Sequence, residues 1–175
     1  MKAQLHQVLA IVLIAVGVFL LLRATVQSFV VYGSSMEPNL EDGQRLIVNK
    51  VVYRLRDPQR GEVIVFLPPA GQRVDFIKRI IALPGDTVEI KDGLVYINDS
   101  AIDEPYVKSS PSYTMAKREI PEGKYFVLGD NRNNSNDSHS WGTVPRENII
   151  GEAWLSIWPP GVIAQYRPAS VNTEG

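Results

Sequence analysis

Hydrophobic and polar positions are spread unevenly along this chain. Val8–Leu22 is a run of 15 apolar residues without a charge, and Ala3, Leu5, Ala24 and Val26 extend its character on both sides. The window from Leu5 to Val26 reaches the roughly 17–25 residues that a membrane-spanning helix needs. Arg23 can snorkel its charge to the headgroups at one end. A cleaved secretory signal would need a small-x-small site just beyond the run. Arg23 and Val26 suit such a site poorly, so a retained anchor is expected. A helix that is apolar on every face also argues against a buried element of a soluble fold. Lys2 and Arg23 lie on opposite sides of the run, so charge gives the orientation no direction.

Beyond Gln27 the pattern changes to short β-type runs rich in Val, Ile, Phe and Tyr: Ser28–Tyr32, Arg45–Lys50, Glu62–Leu67, Phe76–Ile81, Thr87–Ile90, Leu94–Ile97, Tyr125–Leu128 and Ile149–Ile157. Turn strings divide them, among them Asp42-Gly43, Pro68-Pro69-Ala70-Gly71, Pro84-Gly85-Asp86 and Asp92-Gly93. The strongest local signal is the hairpin Val88–Ile97, whose Asp92-Gly93 corner joins two alternating strands. No long amphipathic helix follows residue 30, and Ser109–Thr114 reads as a surface loop. The fold class expected is mainly β: an antiparallel β-barrel or sandwich behind a single N-terminal transmembrane helix.

Composition narrows the chemistry. The 175 residues include no cysteine, which excludes a disulfide framework, a thiol nucleophile and a thiolate metal site. With only His6 and His139, a multi-histidine zinc site cannot be built, and no metal or cofactor is expected. The net charge of -1 from 18 basic and 19 acidic residues gives no sign of a nucleic-acid partner.

Three clusters are unusual as mere structure. Gly33-Ser34-Ser35-Met36-Glu37-Pro38 is a small-residue corner that can present a hydroxyl and free amides, although such strings are common in loops. In Asp75–Asp86, strand alternation places Lys78 with Phe76 and Ile80, and Arg79 with Ile77 and Ile81. One of the two cations therefore sits among apolar neighbours unless the strand is an edge. A lysine buried in this way loses hydration of its charged form. A fall of ~3 pH units in its pKa costs on the order of 4 kcal/mol, a cost that makes sense where a neutral amine serves as a base. The third cluster, Gly129–Gly142, is dense in side chains that bond to backbone and to each other. An Asx-rich calcium loop is a weak alternative, because the EF-hand glycine and distal glutamate are missing.

Taken together these clusters resemble the boxes of the type I signal peptidases. Ser35-Met36-Glu37-Pro38 resembles the S-M-x-P box, and Lys78–Asp86 resembles the K-R-x-x-[AG]-x-P-G-D box. The segment from Gly129 to Ser138 resembles the G-D-N-R-x-N-S-x-D-S box, and Arg60–Phe66 a strand of the form R-G-[DE]-x-x-x-F. The resemblance runs from the apolar segment to about Trp158, in order.

It implies a membrane-bound serine endopeptidase with Ser35 as nucleophile and Lys78 as general base, and with Ser135 orienting the lysine amine. The Ser35 amide would serve the oxyanion, while Gly33 stands where some relatives carry a second, hydroxyl donor. Met36, Leu40 and Ile77 are the implied lining of shallow apolar pockets, and Asp130, Asn131, Arg132 and Asp137 support the site. Asp137 matches an acid that often pairs with an arginine two residues on. His139 stands there instead, which breaks the pair or makes it pH-sensitive, and Asn39 replaces the usual threonine after the proline. The implied substrates are secretory preproteins, cut after a small-x-small motif. Residues 1–26 would form a cytoplasmic tip and bilayer anchor, 27–166 an extracytoplasmic peptidase domain and 167–175 a loose tail, in a plasma or thylakoid membrane. Three other readings rank lower: a Ser-His-Asp hydrolase using His139 and Asp137, a self-cleaving repressor with a Ser-Lys β core, and a non-enzymatic anchored β module.

Overall fold

The apolar N-terminal run folds as one helix, α1 (Lys2–Thr25). The structure, a computed structural model, describes residues 2–69 and 74–164. Ala70 and Gly71 of the proline turn string and the expected tail 167–175 lie outside the described residues. From His6 to Leu20 every side chain of α1 is exposed, Ile11 and Ile14 by about two thirds (66% and 67%). Among the described residues no helix is long and apolar enough to cross a membrane.

The chain leaves α1 directly into β1 (Val26–Val30), two residues earlier than the apolar pattern suggests. The pairing of Val26 with Asn49 of β2 (Arg45–Asn49) accounts for the early start. There follow a short helix α2 (Val52–Leu55), β3 (Val63–Phe66), β4 (Phe76–Ala82), β5 (Thr87–Lys91), β6 (Leu94–Ile97) and β7 (Ser100–Ala101). The chain then forms β8 (Met115–Glu119), β9 (Lys124–Leu128), a short helix α3 (Ser138–Trp141), β10 (Val144–Pro145), β11 (Ile149–Trp158) and β12 (Gly161–Val162). The larger sheet runs β1-β2-β11-β3-β4-β9-β10 with β12 on β11, and the smaller runs β7-β6-β5-β8. Every pairing is antiparallel. At the expected hairpin, Lys91 faces Leu94, and Asp92 and Gly93 take φ of 53° and 73°, the left-handed pair that a two-residue turn of this hand demands.

Three apolar clusters hold the sheets. One lies between the smaller sheet and the ends of β4 and β9, and includes Ile81, Val88, Ile90, Val95, Ile97 and Phe126. A second joins Tyr53, Ile64, Phe66, Ile80 and Val127. The third, Val31, Met36, Leu40, Leu46, Val63 and Ala153, lies under the turn that carries Ser35. β3 is buried at all four positions, as a strand covered on both faces must be, and reads as an unbroken apolar string.

β4 departs from the expectation that one of its two cations is buried. Lys78 is 4% exposed and Arg79 is fully buried. Arg79 can be buried because Asp130 takes its guanidinium in a fork, with Nε and Nη2 at 2.8 and 2.7 Å, and the Gly61 carbonyl accepts Nη1 at 2.8 Å. Tyr106 lies against the same guanidinium, its ring centre 4.2 Å from Cζ. β8 was not legible as a strand, because Met115-Ala116-Lys117-Arg118-Glu119 exposes all but its methionine and pairs with β5 alone.

Candidate active site

Ser35 lies in the turn after β1, and several long-range contacts fix that turn. Gly33, with φ of 80°, donates its amide to Asp42 Oδ1 at 2.7 Å. The positive φ suits glycine and explains a residue without a side chain at this corner. Asn131 donates its amide to the Ser35 carbonyl at 3.0 Å and its Nδ2 to the Ser34 carbonyl at 3.1 Å. Asn39 donates to Asp130 Oδ2 and to the Tyr106 carbonyl, both at 2.8 Å, so the Asp130 carboxylate joins the serine turn to Arg79. Among the described residues none accepts the Ser35 amide, which leaves it available to a developing oxyanion.

Lys78 meets this turn from β4. Its Nζ lies 2.7 Å from Ser35 Oγ and 2.9 Å from the Ile77 carbonyl. Burial pushes the amine down from 10.5 to about 8, against the opposing pull of the Asp137 and Asp130 carboxylates. A buried amine that releases its proton near physiological pH, within hydrogen-bond reach of a hydroxyl, can act as a base toward that hydroxyl.

The loop after β9 closes the site. Asp137 accepts the Gly129 amide on Oδ2 at 2.9 Å, and its Oδ1 lies 2.6 Å from His139 Nδ1. Arg132 is buried in a two-pronged pair with Glu104, at 2.6 and 2.7 Å, and donates its Nε to the Gly129 carbonyl. Ser135 Oγ is buried without a hydrogen-bond partner, so the bond to the lysine amine that the resemblance implies is not made. Lys78 Nζ is engaged by Ser35 and Ile77 instead. Gly129 packs against both serines: a Cβ built there would overlap Ser135 Oγ and the Ser35 carbonyl oxygen. We predict that Gly129→Ala costs at least about 2 kcal/mol of stability by forcing the two loops apart. A urea midpoint equal to that of wild type would refute this.

A cleft of about 330 Å³ opens beside the pair, lined by Val30, Tyr32, Met36, Phe76, Ile77 and Asn136 as well as Ser35 and Lys78. Met36 and Ile77 are among the residues around it, whereas Leu40 is not, and is buried with Met36 in the core beneath. β9 pairs with β4 only from Arg79 onward, so on the cleft side no described strand covers Phe76–Lys78. Tyr32, Asn136, Glu104 and Asn39 were not singled out for these contacts. Only Asn39 carried a signal, as an amide in the position after the turn's proline. His139 Nε2 lies 2.9 Å from Ser140 Oγ, and among the described contacts it has none with Ser35, so the geometry builds no Ser-His-Asp triad on Ser35.

Residues 4–158 match the family model described as signal peptidase, peptidase S26. The chain is 50% identical over 131 residues to a probable signal peptidase I-2 of Synechocystis, covering 72% of this chain and 60% of that protein. It is 40% identical over 141 residues to thylakoidal processing peptidase 1 of Arabidopsis thaliana, covering 75% of this chain and 42% of that one. It thus spans less than two thirds of the length of either relative. Among solved structures, a signal peptidase I from Enterococcus faecalis superposes with a TM-score of 0.51 at 33% identity, covering 55% of this chain and 97% of that one.

Proposed function

The chain belongs to the signal peptidase family, peptidase S26, and on that premise we propose that it is a membrane-anchored serine endopeptidase that removes N-terminal signal peptides from exported preproteins. The observation that carries this reading is the 2.7 Å approach of Lys78 Nζ to Ser35 Oγ at the mouth of an apolar cleft. Lys78, neutral, takes the hydroxyl proton as Ser35 Oγ attacks the scissile carbonyl. The Ser35 amide stabilises the oxyanion. Collapse of the tetrahedral intermediate expels the amine of the mature chain, which takes up the proton held by Lys78, and leaves an ester on Ser35. Water, deprotonated by the same lysine, then hydrolyses the ester.

The uncovered edge of Phe76–Lys78 supports binding of the substrate as an added strand. Met36 and Ile77 would meet the side chains one and three residues before the cut, and their closeness to the nucleophile favours small residues there. Domain division and topology follow from the same reading. Residues 1–26 anchor the chain with the N-terminus cytoplasmic, and 27–166 work outside the cytoplasm, in a plasma or thylakoid membrane. The uncharged apolar run Val8–Leu22, carried on α1, supports an anchor. So does the exposure of its apolar side chains on every face, which water disfavours.

The test is cleavage of a preprotein by the detergent-solubilised chain. A substrate with alanine one and three residues before the cut should be processed at that bond. Phenylalanine at either position should slow cleavage by at least about 100-fold, since the pocket must overpack to hold it. Equal rates for alanine and phenylalanine would exclude the small-x-small specificity.

A further inference from the structure

Two carboxylates raise the proton affinity of the Lys78 amine, and they differ in what opposes them. Asp130 is held by Arg79, a cation at every working pH. Asp137 is buried, and among the described residues no arginine or lysine hydrogen-bonds to it. Its partners are the Gly129 amide, the His139 amide and His139 Nδ1. Among these partners only the imidazole can bring a positive charge to the carboxylate, and only when it carries a proton.

The surroundings of His139 favour a fixed ring. One face stacks on Tyr113, with ring centres 4.2 Å apart at 20°, and Nε2 meets Ser140 Oγ at 2.9 Å. The charged and titratable groups around it are few. Asp137 faces Nδ1, and Tyr113 faces the ring from the segment before β8, its hydroxyl kept protonated by burial. The paired charges of Arg132 and Glu104 act on Tyr113, and those of Asp137 and of Asp130, itself paired with Arg79, act on Lys78. Asp137 in turn holds the Gly129 backbone, against which the Ser35 carbonyl and Ser135 pack. His139 thus reaches the nucleophile's turn through two residues, Asp137 and Gly129, and the base through one carboxylate.

We propose that His139 is a positioning residue of the peptidase site: its ring fixes the Asp137 carboxylate, and its charge sets how strongly that carboxylate holds a proton on Lys78. The proposal rests on the Ser35–Lys78 reading above. With His139 protonated, Asp137 is neutralised and Lys78 gives up its proton more readily. With His139 neutral, the carboxylate acts on the amine unopposed. Histidine is the side chain suited to such a change between about pH 5 and 8.

The test compares the pH dependence of kcat/KM for the detergent-solubilised full chain, His139→Arg and His139→Gln, on one preprotein. The arginine variant carries a permanent charge and the glutamine variant none. The acid limb of His139→Arg should lie roughly half a pH unit or more below that of His139→Gln, so its rate near pH 6 should be about threefold higher relative to its own plateau. Coincident limbs would overturn the proposal even if all plateaus fell, because a purely structural role scales the plateau and leaves the limb in place.

A second measurement needs neither turnover nor an arginine that folds. The chain has only two histidines, so in a His6→Gln background the imidazole resonance of His139 can be titrated alone by NMR. Coupling is reciprocal, so Lys78→Met should raise the midpoint of His139 by a similar amount. Coincident limbs with an unmoved imidazole overturn the proposal alone. Coincident limbs with a shifted imidazole overturn Lys78 as the base, and with it the proposal.

Discussion

Ser35→Ala is expected to lower kcat/KM for preprotein cleavage by at least about 10⁴-fold while leaving the fold intact. The size follows from what the hydroxyl does: without it no acyl-enzyme forms, and the remaining amide and cleft supply only binding and oxyanion contacts. The fold should survive because the contacts of this turn run through its backbone, from the Ser35 carbonyl to the Asn131 amide and from the Ser34 carbonyl to Asn131 Nδ2. The removed oxygen touches only the Lys78 amine among described groups. Activity within tenfold of wild type, in a variant with an unchanged melting temperature, would remove Ser35 from the chemistry.

Lys78→Met should be as inactive, and it should also be more stable than wild type at neutral pH. Burial moves the amine from 10.5 to about 8, and at about 1.4 kcal/mol per pH unit the charged lysine costs the fold about 3 kcal/mol. The folded chain gives up this proton near pH 8, whereas the unfolded chain holds it until about 10.5. Between those values the unfolded state binds more protons, so wild-type stability rises with pH across that window, and the cost is present in full below it. Methionine fills a similar volume without a charge to desolvate. The variant should gain up to about 3 kcal/mol at pH 7, and the gain should fade toward pH 10.5. A variant less stable than wild type at pH 7 would mean that the amine contributes more through its bonds to Ser35 Oγ and the Ile77 carbonyl than its burial costs. The expected pattern is a site that trades stability for a reactive base.

What could be read from the sequence follows from how local each signal is. The Asp92-Gly93 hairpin was legible because its turn chemistry and both strands lie within ten residues. β3 and β9 were legible as apolar strings, since strands covered on both faces need no polar alternation. β8 was missed because it is charged and paired on one side only. The alternation of β4 identified Lys78 and Arg79 as a problem for burial, but its solution lay 51 residues away at Asp130. The Arg132–Glu104 pair and the Asn39–Asp130 bond span 28 and 91 residues, and no local pattern announces such contacts. The boxes therefore pointed to Ser35 and Lys78 without the geometry around them. That geometry does not include Leu40 in the cleft lining or a bond from Ser135 to the amine.

The central claim is that the buried amine of Lys78 is the base for Ser35, and the pH dependence of wild-type kcat/KM tests it most directly, because that profile reports the free enzyme's essential base. The account predicts a rate that climbs about tenfold per pH unit through the acid range and levels off near pH 8. A limb that levels off near an ordinary imidazole value of about 6.5, and that disappears in His139→Gln, would contradict it and move the base to His139.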